Sequence, residues 1–84
     1  MYFACIIQSF KDGSFYIGYT SDLRIRLEFH NSGKSKYTAR KAPWKLVYYE
    51  LFDNKSDAIR REKFLKKQRN TDFYNRLIKN FKEP

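Results

Sequence analysis

The chain has 84 residues, room for one domain with a small core. Aromatic residues make up 19% of it (eight Phe, seven Tyr and one Trp), and such rings bury much apolar area in a short chain. Eighteen Lys and Arg against nine Asp and Glu leave a formal charge of +9, a field that attracts polyanions, nucleic acid above all.

Tyr2–Ser9 reads as a first strand, with β-branched Ile6 and Ile7, and Lys11-Asp12-Gly13 as a turn. Ser14–Thr20 alternates aromatic and small residues, and the two runs make a β-hairpin. Asp22 opens a helix that runs to about Asn31, with Gly33 as its stop. Ser35–Lys41 reads as a short helix halted by Pro43, and Lys45–Phe52 as a third strand. Asn54 offers an N-cap, with Asp57 three residues on, for a helix to about Gln68. Thr71 is the expected cap of a last helix carrying Phe73, Leu77 and Phe81 on one face. The expected fold is α+β: a single domain over residues 1–84, with a small three-stranded antiparallel sheet flanked by helices in the order β-β-α-α-β-α-α. Residues 70–84 form its C-terminal helix.

One cysteine, Cys5, excludes an internal disulfide and a cysteine-based zinc site, and suits a reducing compartment. No apolar run approaches the ~20 residues of a membrane helix. The apolar start lacks the length and basic flank of a signal peptide, so the expected location is the cytoplasm. Between Phe29 and Tyr49 stand Lys34, Lys36, Arg40, Lys41 and Lys45 with no acid, and the segment after Lys55 carries a second basic excess that includes Arg61 and Lys66. These are the candidate nucleic-acid contacts; their ordinary alternative is a solvated surface.

Two helices carry polar residues inside apolar stripes. Leu23, Arg26, Leu27 and His30 share one face of the first, although Arg26 and His30 at its flank can also snorkel outward. Arg24 and Glu28 form an i,i+4 pair elsewhere on it. Glu62 sits in the stripe of Ala58, Ile59, Leu65 and Lys66, where a carboxylate is either salt-bridged or kept for a hard metal ion. Phosphodiester cleavage needs a cationic fork for the phosphate, a carboxylate for a divalent cation and a group to orient water. Arg26, Glu62 and His30, with tyrosines of the hairpin, are that inventory. No nucleophile elbow, P-loop or GxGxxG is present, and no small-molecule substrate is expected.

Tyr16-Ile17-Gly18, the run from Asp22 to Asn31, Gly33-Lys34-Ser35-Lys36-Tyr37-Thr38, Pro43-Trp44 and Arg60-Arg61-Glu62 together resemble the GIY-YIG nuclease family. The likeness is strongest to its small stand-alone bacterial members, similar to the N-terminal nuclease domain of the repair protein UvrC, and runs from Tyr2 to about Lys67. It implies a DNA endonuclease that uses Mg²⁺ or Mn²⁺, in repair or recombination. By position, Tyr16 would orient or activate water, Gly18 would let the backbone lie close, and Arg26 would hold the scissile phosphate. His30 would assist as proton shuttle or phosphate ligand, Glu62 would bind the metal, and Tyr37 would line the site. Phe3-Ala4-Cys5 stands where the first family triplet belongs, so Cys5 takes the place of its tyrosine. That departure leaves, as the alternative, a non-catalytic nucleic-acid-binding module of the same fold.

Overall fold

The first strand, β1 (Tyr2–Ser9), lies in the middle of the molecule's only sheet among the described residues, between β2 (Phe15–Thr20) and β3 (Trp44–Phe52), both antiparallel to it. The computed structural model describes residues 1–81. The helices are α1 (Leu23–Asn31), α2 (Lys36–Ala39), α3 (Lys55–Gln68) and α4 (Thr71–Asn80), so the expected α+β order holds throughout. Of the C-terminal segment expected to be helical, residues 82–84 lie outside the described residues.

Strand alternation divides β1 between two tasks. Ala4 and Ile6 point to one face, where Ile6 stands opposite Ile17 and both join Leu65 and Tyr74 in the buried core cluster. Phe15, Val47, Tyr48, Phe52, Phe73 and Leu77 close around it. Cys5 and Ile7 point the other way, opposite Gly18 and Tyr16 of β2. α3 packs across all three strands, and α1 packs against β3 and β1. The Tyr74 hydroxyl donates to the Leu65 carbonyl at 2.6 Å and accepts from the Arg69 N–H at 3.2 Å, which ties α4 to the end of α3.

On the β3 side the register shifts between Ile6 and Ile7. Ile6 pairs with Tyr48 but Ile7 with Leu46, leaving Val47 as an extra residue. Because side chains alternate with period two, the shift turns Leu46 and Trp44 onto the face of Ile7 and Ser9, and Lys45 onto the opposite one.

The caps follow local chemistry. The Asp22 carboxylate accepts from the Ile25 N–H at 3.0 Å, and Asn54 from the Asp57 N–H at 2.9 Å, as expected. Gly33, just beyond the end of α1, has φ 83°. The last helix is capped by Asn70, not Thr71: the Asn70 amide oxygen accepts from the N–H groups of Asp72 and Phe73, and Thr71 is the first helical residue. Phe81 leaves the helix in extended backbone and packs its ring on Tyr48 and Tyr49. Arg24 and Glu28 are exposed, but no ion pair joins them among the described residues; such a surface pair gains little in water. No helix among the described residues is long and apolar enough to cross a membrane.

Candidate active site

The face of the sheet that carries Cys5, Gly18 and Tyr16 receives the polar residues of α1, Arg26 and His30. α1 presents Leu23, Arg26 and Leu27 half-buried and His30 only 2% exposed, so the histidine does not snorkel outward. Arg26 lies against Gly18: a Cβ there would stand 2.7 Å from the guanidinium Nη2. Glycine at this point therefore leaves the volume that the guanidinium fills.

Across the strand pair from Gly18 lies Cys5, whose thiol is buried. Burial pushes it up to about 11, opposed by the nearby Arg26 charge and the Gly18 backbone hydrogen bond and reinforced by Glu62. The charges of Arg26 and Glu62 thus both reach this one side chain. The thiol stays protonated at neutral pH and is no base. The Glu62 side chain is 12% exposed, and its ion-pair partner is the half-exposed Lys66 at 3.6 Å, beyond a good hydrogen bond. Of the two expectations for Glu62, the structure shows an ion pair, and a loose one: a largely buried carboxylate with only Lys66 paired to it among the described residues.

Tyr16 sits two residues before Gly18, hence on the same face. Its ring centroid is 4.9 Å from His30, 5.7 Å from Tyr37 and 6.3 Å from Trp44. His30 Nδ1 shares a 2.9 Å hydrogen bond with the Thr38 hydroxyl, while Nε2 is buried with no partner. An orphaned buried nitrogen of this kind costs about 1–3 kcal/mol, and functional sites are where such groups persist. Burial, and then the positive charge of Arg26 one helical turn away, hold the imidazole below its usual range, so it is neutral at pH 7.

Thr38, Trp44 and Asn31 build the frame of this half of the site. The Trp44 indole N–H donates to the Thr38 carbonyl at 2.9 Å. The Asn31 amide accepts from the Trp44 N–H at 2.6 Å and donates to the Trp44 carbonyl at 3.1 Å. Sequence reasoning quoted Thr38 and Trp44 inside their motifs but gave neither a role. The signal for Thr38 was a hydroxyl among basic residues of a four-residue helix, which only the fold reveals as fully buried.

The seven basic candidates separate. Lys36, Arg40 and Lys41 line a groove beside Tyr37, with Gly33 and Ala39 in its wall, and Lys34 is exposed in the preceding loop. Lys41 is held by Asp12 at 3.6 Å and the Ser14 hydroxyl at 3.1 Å, with its ammonium 5.5 Å from the Tyr37 ring centroid. Lys66 faces Glu62. Lys45 lies over the Phe10 ring at 5.1 Å, on the face away from Tyr16. Arg61 is engaged elsewhere: its Nε–H donates to Glu50 at 2.8 Å, and Tyr48 donates to the same carboxylate at 2.7 Å. Glu50 stands opposite Ala4, so this network belongs to the core face.

No group of three or more His, Cys, Asp or Glu side chains able to hold a metal ion exists among the described residues. The donor set is the single Glu62 carboxylate. It suits Mg²⁺ or Mn²⁺ only in the mode where phosphate and water supply the remaining ligands, which is the usual mode for a hard ion at a phosphoryl site.

A family model described as the GIY-YIG catalytic domain matches residues 1–76. The chain belongs to the GIY-YIG nuclease family, a family that acts on DNA. It is 50% identical over 60 residues to the UPF0213 protein of Streptococcus pneumoniae serotype 4; the match takes in 70% of this chain and 61% of that one. Over 53 residues it is 51% identical to a UPF0213 protein of Staphylococcus saprophyticus, covering 62% of this chain and 65% of that relative. The chain thus spans less than two thirds of the length of these relatives. Its fold is similar to the solution NMR structure of the UPF0213 protein BH0048 from Bacillus halodurans, at 36% identity and a TM-score of 0.55, over 94% of this chain and 84% of that one.

Proposed function

We propose that the protein is a metal-dependent DNA endonuclease of the cytoplasm that hydrolyses phosphodiester bonds, in repair or recombination. The observation that carries this reading is the guanidinium of Arg26 lying against Gly18, opposite Cys5, on the sheet face that also holds Tyr16 and the neutral, half-partnered His30, with the Glu62 charge in electrostatic reach.

Arg26, whose donors form a rigid fork, binds the scissile phosphate and offsets the charge that builds on it. The missing side chain at Gly18 lets that guanidinium lie against the strand. Tyr16 orients the attacking water through its hydroxyl. His30 takes or returns a proton at Nε2, since Nδ1 is committed to Thr38. Tyr37 lines the approach beside Tyr16. Glu62 is the residue that would hold the divalent cation, which when bound supplies Lewis-acid charge to the phosphate. Lys34, Lys36, Arg40 and Lys41 guide the strand toward this face, with Lys66 at its border; Lys45 and Arg61, on or tied to the other face, contribute at most to the long-range field.

The test is cleavage of end-labelled single-stranded, nicked and forked DNA with Mg²⁺ or Mn²⁺, with a chelator control. Metal-dependent cuts that Arg26→Ala removes support the proposal. DNA binding without cleavage on every substrate favours the second reading, a non-catalytic binding module. The buried, protonated Cys5 in the place of the family's first tyrosine is the observation behind that alternative.

A further inference from the structure

The groove beside the site is built for more than a phosphate backbone. It holds about 580 Å³ and is lined by Gly33, Lys36, Tyr37, Ala39, Arg40 and Lys41. Its largest side chain is Tyr37, a residue 57% exposed although aromatic residues of this size are usually well covered. Three cations stand around that one open ring, and its inner neighbour is Tyr16 of the proposed catalytic face, 5.7 Å away between centroids. An exposed ring beside three cations, of which only Lys41 has an acidic partner among the described residues, Asp12, does not suit an apolar peptide or a second copy of this chain, which itself carries +9. It suits a ligand with flat apolar faces joined to a polyanion.

We propose that this groove is a subsite for an unpaired nucleobase of a single-stranded nucleic acid, which stacks on Tyr37 while its flanking phosphates lie on Lys36, Arg40 and Lys41. Stacking of a base on an aromatic ring is sequence-tolerant, because every base has a π-face. It is not open to a duplex, whose bases already cover one another. The groove therefore makes Tyr37 a specificity-determining residue that selects splayed or single strands at the catalytic face. This inference rests on the proposal that the face handles nucleic acid, but it concerns which form of it binds.

The experiment measures binding of a fluorescently labelled 12-nucleotide DNA single strand, its duplex, and a strand of equal length and charge carrying abasic positions, all in chelator so that cleavage plays no part (the strand length is about that of one single-strand binding site). Tyr37→Ala should weaken binding of the single strand by about 5–100-fold, the range of one lost base stack, and change duplex binding by less than about twofold. Tyr37→Phe, which keeps the ring, should bind like the parent. The abasic strand should bind the parent as weakly as the intact strand binds Tyr37→Ala, and combining the two changes should cost nothing further. Equal losses on single strand and duplex, or full-strength binding of the abasic strand, overturn the subsite. A protein that passes these tests yet never cuts DNA loses the endonuclease reading and keeps this one; a protein that cuts, with binding indifferent to Tyr37, does the reverse.

Discussion

The two faces of β1 share one backbone and differ in everything else. Ala4 and Ile6 look into the apolar cluster of Ile17, Leu65 and Tyr74, where packing dominates. Cys5 and Ile7, on the intervening positions, look toward Gly18 and Tyr16 and the charges of Arg26 and Glu62. On the first face a polar group is either absent or saturated: Glu50 accepts from both Tyr48 and Arg61. On the second, polar groups are left incomplete: His30 Nε2 is unpartnered, and the Glu62 charge that reaches this face is itself loosely paired. A small domain that must both fold and react has put stability on one side of a strand and unspent hydrogen-bonding capacity on the other.

Substitutions on the two faces should therefore separate activity from stability. Arg26→Ala should lower cleavage by at least about 10²–10³-fold, the cost of removing a charge-stabilising donor, with the urea midpoint nearly unchanged. Ile6→Ala should do the opposite, costing about 2–5 kcal/mol of stability while the fraction that remains folded still cuts. Chemical denaturation of both variants beside single-turnover rates checks the pair; a large loss of stability in Arg26→Ala would erase the distinction between the faces. Glu62→Gln should abolish metal-dependent cleavage while DNA binding persists or tightens. Because Lys66 is half-exposed, the fold should lose no more than about 1 kcal/mol. A destabilisation of roughly 3–5 kcal/mol in a thermal melt would instead make Glu62 a buried ion-pair partner.

Acidity should act mainly on the second face. His30 is held below the usual histidine range in the folded chain, so the unfolded chain takes up its proton first. Its contribution to stability is complete above about pH 6.5 and is lost as pH falls through the depressed folded value. Asp12, pushed down to about 2 by hydrogen bonds from Ser14, affects only far more acid conditions. Melting temperatures from pH 8 to pH 4.5 (a window around the ordinary histidine value) should fall below about 6.5, and His30→Asn should flatten that fall. The smallest effect is expected from Cys5→Ser. A thiol pushed up to about 11 accepts no proton at pH 7, so the cleavage rate should stay within a fewfold; a sharp drop would show that the thiolate takes part.

Much of the candidate site was legible as misplaced polarity. Arg26, His30 and Glu62 interrupt stripes whose period gives them away, because a helix repeats its faces every three or four residues. The frame around them was not, since it consists of contacts with no local pattern. Thr38 meets His30 from another helix, and Asn31 brackets Trp44 across thirteen positions of sequence. The partner that draws Arg61 away from the basic surface is Glu50, a residue of ordinary alternating appearance in a strand. Thr71 was the expected cap of the last helix, but its neighbour Asn70 serves, because one residue of backbone phase makes Thr71 the first helical residue.

The extra residue at Val47 sets a counting rule for β3. Were the strand to pair in unbroken register, with Val47 itself opposite Ile7, every side chain before it would change sides. Trp44 would rotate off Tyr16 and release its hold on Thr38, and with Thr38 the fixed end of His30. Lys45, now beside Phe10, would swing onto the catalytic face and add a cation where the imidazole is already kept neutral. A one-residue slip of register far from any acid, base or phosphate-binding group would thus dismantle the reactive half of the domain while Ala4 and Ile6 kept their side of the sheet.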